Sequence, residues 1–129
     1  MAGETILVIE DNEKNRKLIK VVLKARGYKI IEAEDAETAM DQLKKDIPDL
    51  ILMDIGLPEM DGFELTRLIK RDKTTKDVPI IAVTAHAMKG EKEKTLEAGC
   101  DDYVSKPIDI NEFQKTVARV LNDKKQFRD

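Results

Sequence analysis

Five short apolar runs, separated by segments patterned for helices, constrain this chain more than any other feature of its sequence. They are Ile6-Leu7-Val8-Ile9, Ile30-Ile31, Leu50-Ile51-Leu52-Met53, Ile80-Ile81-Ala82-Val83 and the short Tyr103-Val104. Each has the length of a strand, and uninterrupted apolar runs suit strands covered on both faces. Such strands run parallel, and the helices between them supply the crossovers that a parallel sheet requires. The pattern predicts an α/β fold of five strand-helix units.

Helix faces are legible in the intervening segments, with Ala36, Ala39, Met40 and Leu43 on one stripe and Phe113, Val117, Val120 and Leu121 on another. Asp61-Gly62-Phe63-Glu64 and Asp109-Ile110-Asn111-Glu112 each place an Asp three residues before a Glu, a variant of the capping box. The last helix is expected to end near Asn122, leaving Asp123–Asp129 as a short tail. With 129 residues, 41% of them hydrophobic, the chain can build one ordinary core. The expectation is a single domain over residues 1–129, with its core about 4–122 and no output domain.

Composition removes several classes of function. A charged fraction of 38% against a net charge of −3 intersperses the two signs over the surface, which argues against nucleic acid as a partner. No apolar stretch approaches the ~20 residues that span a bilayer, and Met1-Ala2-Gly3-Glu4-Thr5 carries no basic region before an apolar run. No membrane insertion and a cytoplasmic location are expected. Cys100 is the only cysteine, which excludes an intramolecular disulfide and a thiolate-rich metal site, and it reads as a small packed residue.

In an open parallel sheet, ligands bind beyond the carboxyl ends of the strands. Immediately after or at the ends of the apolar runs stand Glu10 and Asp11, Asp54, Thr84, and Lys106 followed by Pro107. Carboxylates gathered without a counter-charge repel one another, so the cluster makes sense around a cation. Magnesium fits: it takes oxygen ligands, keeps several waters and commonly joins one or two carboxylates to a phosphate oxygen. Asp54 then becomes a plausible nucleophile toward a phosphoryl donor, with the Lys106 ammonium and the Thr84 hydroxyl completing the neutralisation of the transferred group.

Glu10-Asp11, Asp54 with Leu57-Pro58-Glu59-Met60-Asp61-Gly62 after it, Thr84-Ala85 and Lys106-Pro107 together resemble a response-regulator receiver domain over essentially the whole chain. The resemblance implies a doubly wound five-stranded parallel sheet of order 2-1-3-4-5 with five helices. It implies Asp54 as phosphoacceptor, Glu10 and Asp11 as the acids of a Mg2+ site, and Gly56 as a further ligand through its backbone carbonyl. Thr84 would be the switch hydroxyl, Lys106 the phosphoryl-binding lysine and Tyr103 the aromatic that changes rotamer, with Lys106-Pro107 a cis peptide. By the same resemblance Gly56 and His86 flank the path of the water that hydrolyses the aspartyl phosphate, and so modulate its lifetime. The implied partners are a sensor histidine kinase or histidine phosphotransfer protein as donor, and a downstream protein target met by a face of the fourth helix, fifth strand and fifth helix. Thr84-Ala85-His86-Ala87-Met88-Lys89-Gly90 most resembles DivK-like single-domain regulators and the receivers of hybrid histidine kinases, which points to phosphorelay signalling.

Each position also has a plainer reading. Glu10 and Asp11 alone suggest a strand-to-helix turn capping the next helix, Thr84 a β-former, Lys106 a surface lysine, Tyr103 a packing residue and His86 an exposed loop residue. Their joint occurrence favours the site. A haloacid-dehalogenase-type phosphatase would carry a second Asp two residues after its nucleophile, where this chain has Gly56. A flavodoxin-like carrier would need a hydroxyl- and glycine-rich phosphate cradle after the first strand, where this chain has Glu10-Asp11-Asn12-Glu13. A structural pseudo-receiver would lack some of the acidic positions, and here all are filled. The chain is therefore expected to catalyse its own phosphorylation and dephosphorylation without being a turnover enzyme.

Overall fold

The computed structural model describes residues 3–55, 62–84 and 89–128, the side chains of 89–92 and 124–128 apart. Strands β1 (Thr5–Ile9), β2 (Lys29–Ala33), β3 (Leu50–Asp54), β4 (Ile80–Thr84) and β5 (Asp102–Ser105) alternate with helices α1 (Glu13–Lys24), α2 (Ala36–Lys45), α3 (Gly62–Arg71), α4 (Lys89–Ala98) and α5 (Ile110–Arg128). The strands form one sheet of order β2-β1-β3-β4-β5, parallel throughout.

Alternation along each strand builds two cores from one sheet. Leu7, Ile9, Ile51, Met53, Ile80 and Ala82 face one side, where they pack with Ala36, Ala39 and Leu43 of α2 and Leu65 and Ile69 of α3. Ile6, Val8, Leu50, Leu52 and Ile81 face the other, against Ile19, Val22 and Leu23 of α1 and Phe113, Val117, Val120 and Leu121 of α5. Double-sided cover holds for the three inner strands, β1, β3 and β4. At the edges, β5 is half-buried throughout, and β2 is half-buried over Ile30–Glu32 between an exposed Lys29 and a buried Ala33. The two apolar residues Ile30-Ile31 and the pair Tyr103-Val104 therefore understated strands that are longer but less enclosed.

One expectation about helix ends needs revision, and one of the plainer readings is excluded. Helix α5 does not stop near Asn122 but continues to Arg128. Asp123-Lys124-Lys125-Gln126-Phe127-Arg128 contains no glycine or proline, so propensity allows continuation, and Arg119 pairs with Asp123 one turn on, Nη1 to Oδ2 3.8 Å. Helix α1 is capped by neither Glu10 nor Asp11: Asn12 Oδ1 accepts from the Asn15 amide at 3.0 Å. At α5 the expected cap is present, with Asp109 Oδ1 accepting from the Glu112 amide at 3.1 Å. Asp61 lies outside the described residues.

Candidate acidic site

The order of the sheet reverses between β1, which leads outward to β2, and β3, which leads to β4 and β5. Loops leaving β1 and β3 therefore diverge, and a crevice opens at their carboxyl ends. Into it the chain delivers Glu10 and Asp11, which follow β1, and Asp54, the last residue of β3. One oxygen from each of these carboxyl groups lies within 4.8 Å of the others. Asp11 is exposed, whereas Glu10 and Asp54 are buried.

Lys106, the residue after β5, reaches over this cluster, its Nζ 3.1 Å from Glu10 Oε1 and 3.6 Å from Asp54 Oδ2. Its backbone is tied to the neighbouring strand by the Lys106 amide, which donates to the Thr84 carbonyl at 2.8 Å. The next peptide, Lys106-Pro107, is cis. Thr84 closes β4, buried, one strand from Asp54 on one side and opposite Ser105 on the other.

One ammonium does not balance three carboxylates. Burial, followed by a hydrogen bond with Asp54, raises the Glu10 carboxyl from an ordinary 4.5 to about 7. Burial pulls the Lys106 ammonium down, but its contacts with Glu10 and Asp54 outweigh that and the net direction is up. Glu10 Oε2 accepts from the Asn12 amide at 3.1 Å, while Oε1 is buried without a well-formed hydrogen bond, Lys106 Nζ standing 3.1 Å away as an ion-pair partner. A buried oxygen left in that condition, within reach of two further carboxylates, suits a divalent cation of the hard, oxygen-seeking kind.

The sequence matches the response regulator receiver domain family over residues 6–118. The chain belongs to that family. It is 42% identical over 120 residues to the polar-differentiation response regulator DivK of Brucella ovis, covering 93% of this chain and 98% of that one. Among solved structures it resembles the receiver domain of the sensor histidine kinase PA1611 from Pseudomonas aeruginosa, with 38% identity, a TM-score of 0.86 and coverage of 94% and 99% of the two chains. That receiver holds a magnesium ion coordinated in its active-site cleft. A putative response regulator from Chloroflexus aurantiacus superposes with a TM-score of 0.89 at 31% identity, over 92% and 98% of the two chains. The acidic triad of this receiver is thus of the type that binds Mg2+ in the family.

Of the positions singled out in the sequence, this receiver brings Glu10, Asp11, Asp54 and Lys106 together and sets Thr84 in the adjoining strand. Tyr103 is half-buried against the core on the α2-α3 side. Gly56 and His86 lie outside the described residues. Cys100 is buried, and burial pushes its thiol up to about 11, as expected of a packed residue. No helix among the described residues is long and apolar enough to cross a membrane.

Two features around the site escaped the sequence. Gly62 opens α3 so close to β3 that a Cβ there would stand 2.7 Å from Ile55 Cα and 2.9 Å from the Asp54 carbonyl oxygen. Arg16, on α1, donates from Nη1 to the Glu10 carbonyl at 2.9 Å and pairs with Glu32 on β2. Sequence could have marked Gly62 through its place after an acidic strand end. Nothing in the sequence marks Arg16, whose contacts with the Glu10 carbonyl six residues back and with Glu32 sixteen residues on depend on how α1 lies against the sheet.

Proposed function

We propose that this chain is a single-domain response regulator that accepts a phosphoryl group on Asp54 from a phosphohistidine donor and signals by changing its protein partners. The supporting observation is the convergence of Glu10, Asp11 and Asp54 within 4.8 Å beneath the Lys106 ammonium.

An Asp54 carboxylate oxygen attacks phosphorus, the bond from phosphorus to the donor imidazole nitrogen breaks, and an acyl phosphate forms. Glu10, Asp11 and Asp54 would hold the metal, with the Gly56 carbonyl as a further ligand by family pattern. Bound there, Mg2+ supplies the charge neutralisation that lets an anionic phosphoryl group approach a carboxylate. Lys106 contributes a positive charge already in place on the Asp54 side, 3.6 Å from Oδ2, and needs little reorganisation to meet a phosphoryl oxygen. The family pattern names the physiological donor as a histidine kinase or histidine phosphotransfer protein, docking over the crevice in which Asp54 is buried.

The phosphoryl group adds roughly −1.5 to −2 charges at the end of β3. The Thr84 hydroxyl turns toward it, and Tyr103, on the neighbouring strand, follows into the space released. The readout is the surface of α4, β5 and α5, met by a downstream protein target. Gly56 and His86 set the lifetime of the phosphoryl group through the approach of water. The domain is read as cytoplasmic.

Intact-mass analysis after incubation with acetyl phosphate and Mg2+ tests the central assignment. Wild type gains one acid-labile phosphoryl group and Asp54→Asn gains none; equal labelling of the two would falsify it.

A further inference from the structure

Strand β1 ends at Ile9, and the Glu10 amide is still tied to the sheet, donating to the Ala33 carbonyl at 3.0 Å. The Glu10 carbonyl is not part of that ladder. It accepts instead from Arg16 Nη1 at 2.9 Å, a guanidinium reaching back from the first turns of α1. This carbonyl belongs to the peptide plane that joins Glu10 to Asp11, so the same hydrogen bond governs how two of the three acids face each other. Asp11 is exposed, so its backbone peptide bears much of the work of aiming it.

Arg16 is held in turn. Its Nε stands 3.3 Å from Glu32 Oε1, and the other oxygen of Glu32 accepts from Lys20 Nζ at 3.1 Å. Glu32 sits on β2 opposite Val8, beside the end of β1. A half-exposed network of this kind adds little to stability, as such pairs contribute about 0–1 kcal/mol each. Nor does Arg16 help a cation by its charge: one positive group beside a cation site costs affinity by direct repulsion. Its one favourable consequence for the site is geometric.

We infer that Arg16 is a positioning residue for the divalent-cation site, fixing the Glu10-Asp11 peptide through its carbonyl oxygen while Glu32 anchors the guanidinium. The inference rests on the metal reading given above. Ligands are tuned by what holds them as much as by their own chemistry, and loss of a supporting hydrogen bond typically weakens metal binding by about tenfold or more.

Charge and geometry predict opposite signs, which makes the inference testable by calorimetric titration of Mg2+ alone into the metal-stripped full chain. Arg16→Met removes a positive charge, so electrostatics alone would tighten binding; positioning predicts binding weaker by about tenfold. Lys20→Met removes the same charge from the far side of Glu32 and is expected to bind as wild type or slightly tighter. Arg16→Lys keeps the charge but replaces the rigid fork with one ammonium that cannot hold both oxygens at once, and is expected to fall between wild type and Arg16→Met. It serves alone if Arg16→Met does not fold, as judged by thermal unfolding in chelator. Mg2+ binding equal to or tighter than wild type in either Arg16 variant overturns the inference. A wild-type chain that takes up no Mg2+ overturns the metal reading and this inference with it, whereas normal wild-type uptake with unaltered Arg16 variants overturns the inference alone.

Discussion

Gly62→Ala is the substitution whose cost can be worked most directly from the structure. The added methyl carbon would lie 2.7 Å from Ile55 Cα, 2.9 Å from the Asp54 carbonyl oxygen and 3.1 Å from the Ile55 carbonyl oxygen. Comfortable contact between carbons begins near ~3.5 Å, so the backbone of α3 and the end of β3 must part by about 0.8 Å. No side chain can swing away to relieve this, because all three neighbours are backbone atoms. Gly62 is not in the positive-φ region, so close approach alone explains the glycine. Overpacking of that size costs about 1–3 kcal/mol, and the first helical position recovers little of it through helix propensity. A thermal midpoint lower by roughly 4–12 °C follows, at about 4 °C per kcal/mol for a domain of this size. Displacement at Asp54 and Ile55 also misplaces the acceptor carboxylate, so phosphorylation by acetyl phosphate should slow by more than the fraction unfolded explains. Thermal unfolding in chelator and a labelling time course measure the two effects. A midpoint within 1 °C of wild type would show that α3 moves freely relative to β3, and would refute the close-packing argument.

Metal linkage gives a second prediction: Mg2+ at a hundredfold excess over its Kd should stabilise the chain by about 2.7 kcal/mol, an increment that Asp11→Ala largely removes and that chelator abolishes along with phosphorylation. Labelling that proceeds unchanged in chelator would be fatal to the metal's role. Thr84→Ala should accept the phosphoryl group at Asp54 yet transmit it poorly, so amide shifts of wild-type size at Tyr103 on phosphorylation of the variant would break the proposed coupling. Cys100, with its thiol pushed up to about 11, should resist alkylation at neutral pH in the folded chain. Below its ordinary 9.0 the thiol is neutral in both states; between 9.0 and about 11 the unfolded chain releases a proton that the fold retains, so stability falls across that interval. The urea midpoint of Cys100→Ala should therefore decline less than that of wild type over the same pH range, and parallel declines would contradict the burial of the thiol.

How much of this was legible in the sequence depends on how local each signal is. Leu50-Ile51-Leu52-Met53 announces a buried strand because β3 is covered on both faces, and Asp54 after it is conspicuous because a carboxylate at such a place is costly to bury. Ile30-Ile31 and Tyr103-Val104 announce less, since edge strands mix polar and apolar residues and their ends fade into the background of charged residues. The run from Asp123 to Arg128 carries no apolar stripe, so its helix is invisible to periodicity and rests on propensity and on continuation from Val120 and Leu121. At the site, each acid and the lysine could be found because each stands at the end of an apolar run. What held them could not be found, because a contact such as Arg16 to the Glu10 carbonyl, with Glu32 behind it, depends on how α1 lies against β1 and β2. Strand ends deliver the reactive groups from sequence positions that any reader can mark, whereas their alignment is set by backbone approach at Gly62 and by a guanidinium aimed at a peptide carbonyl. The acidic site is thus legible as a list of groups, while its geometry belongs to the packing of α1 and α3 against the sheet.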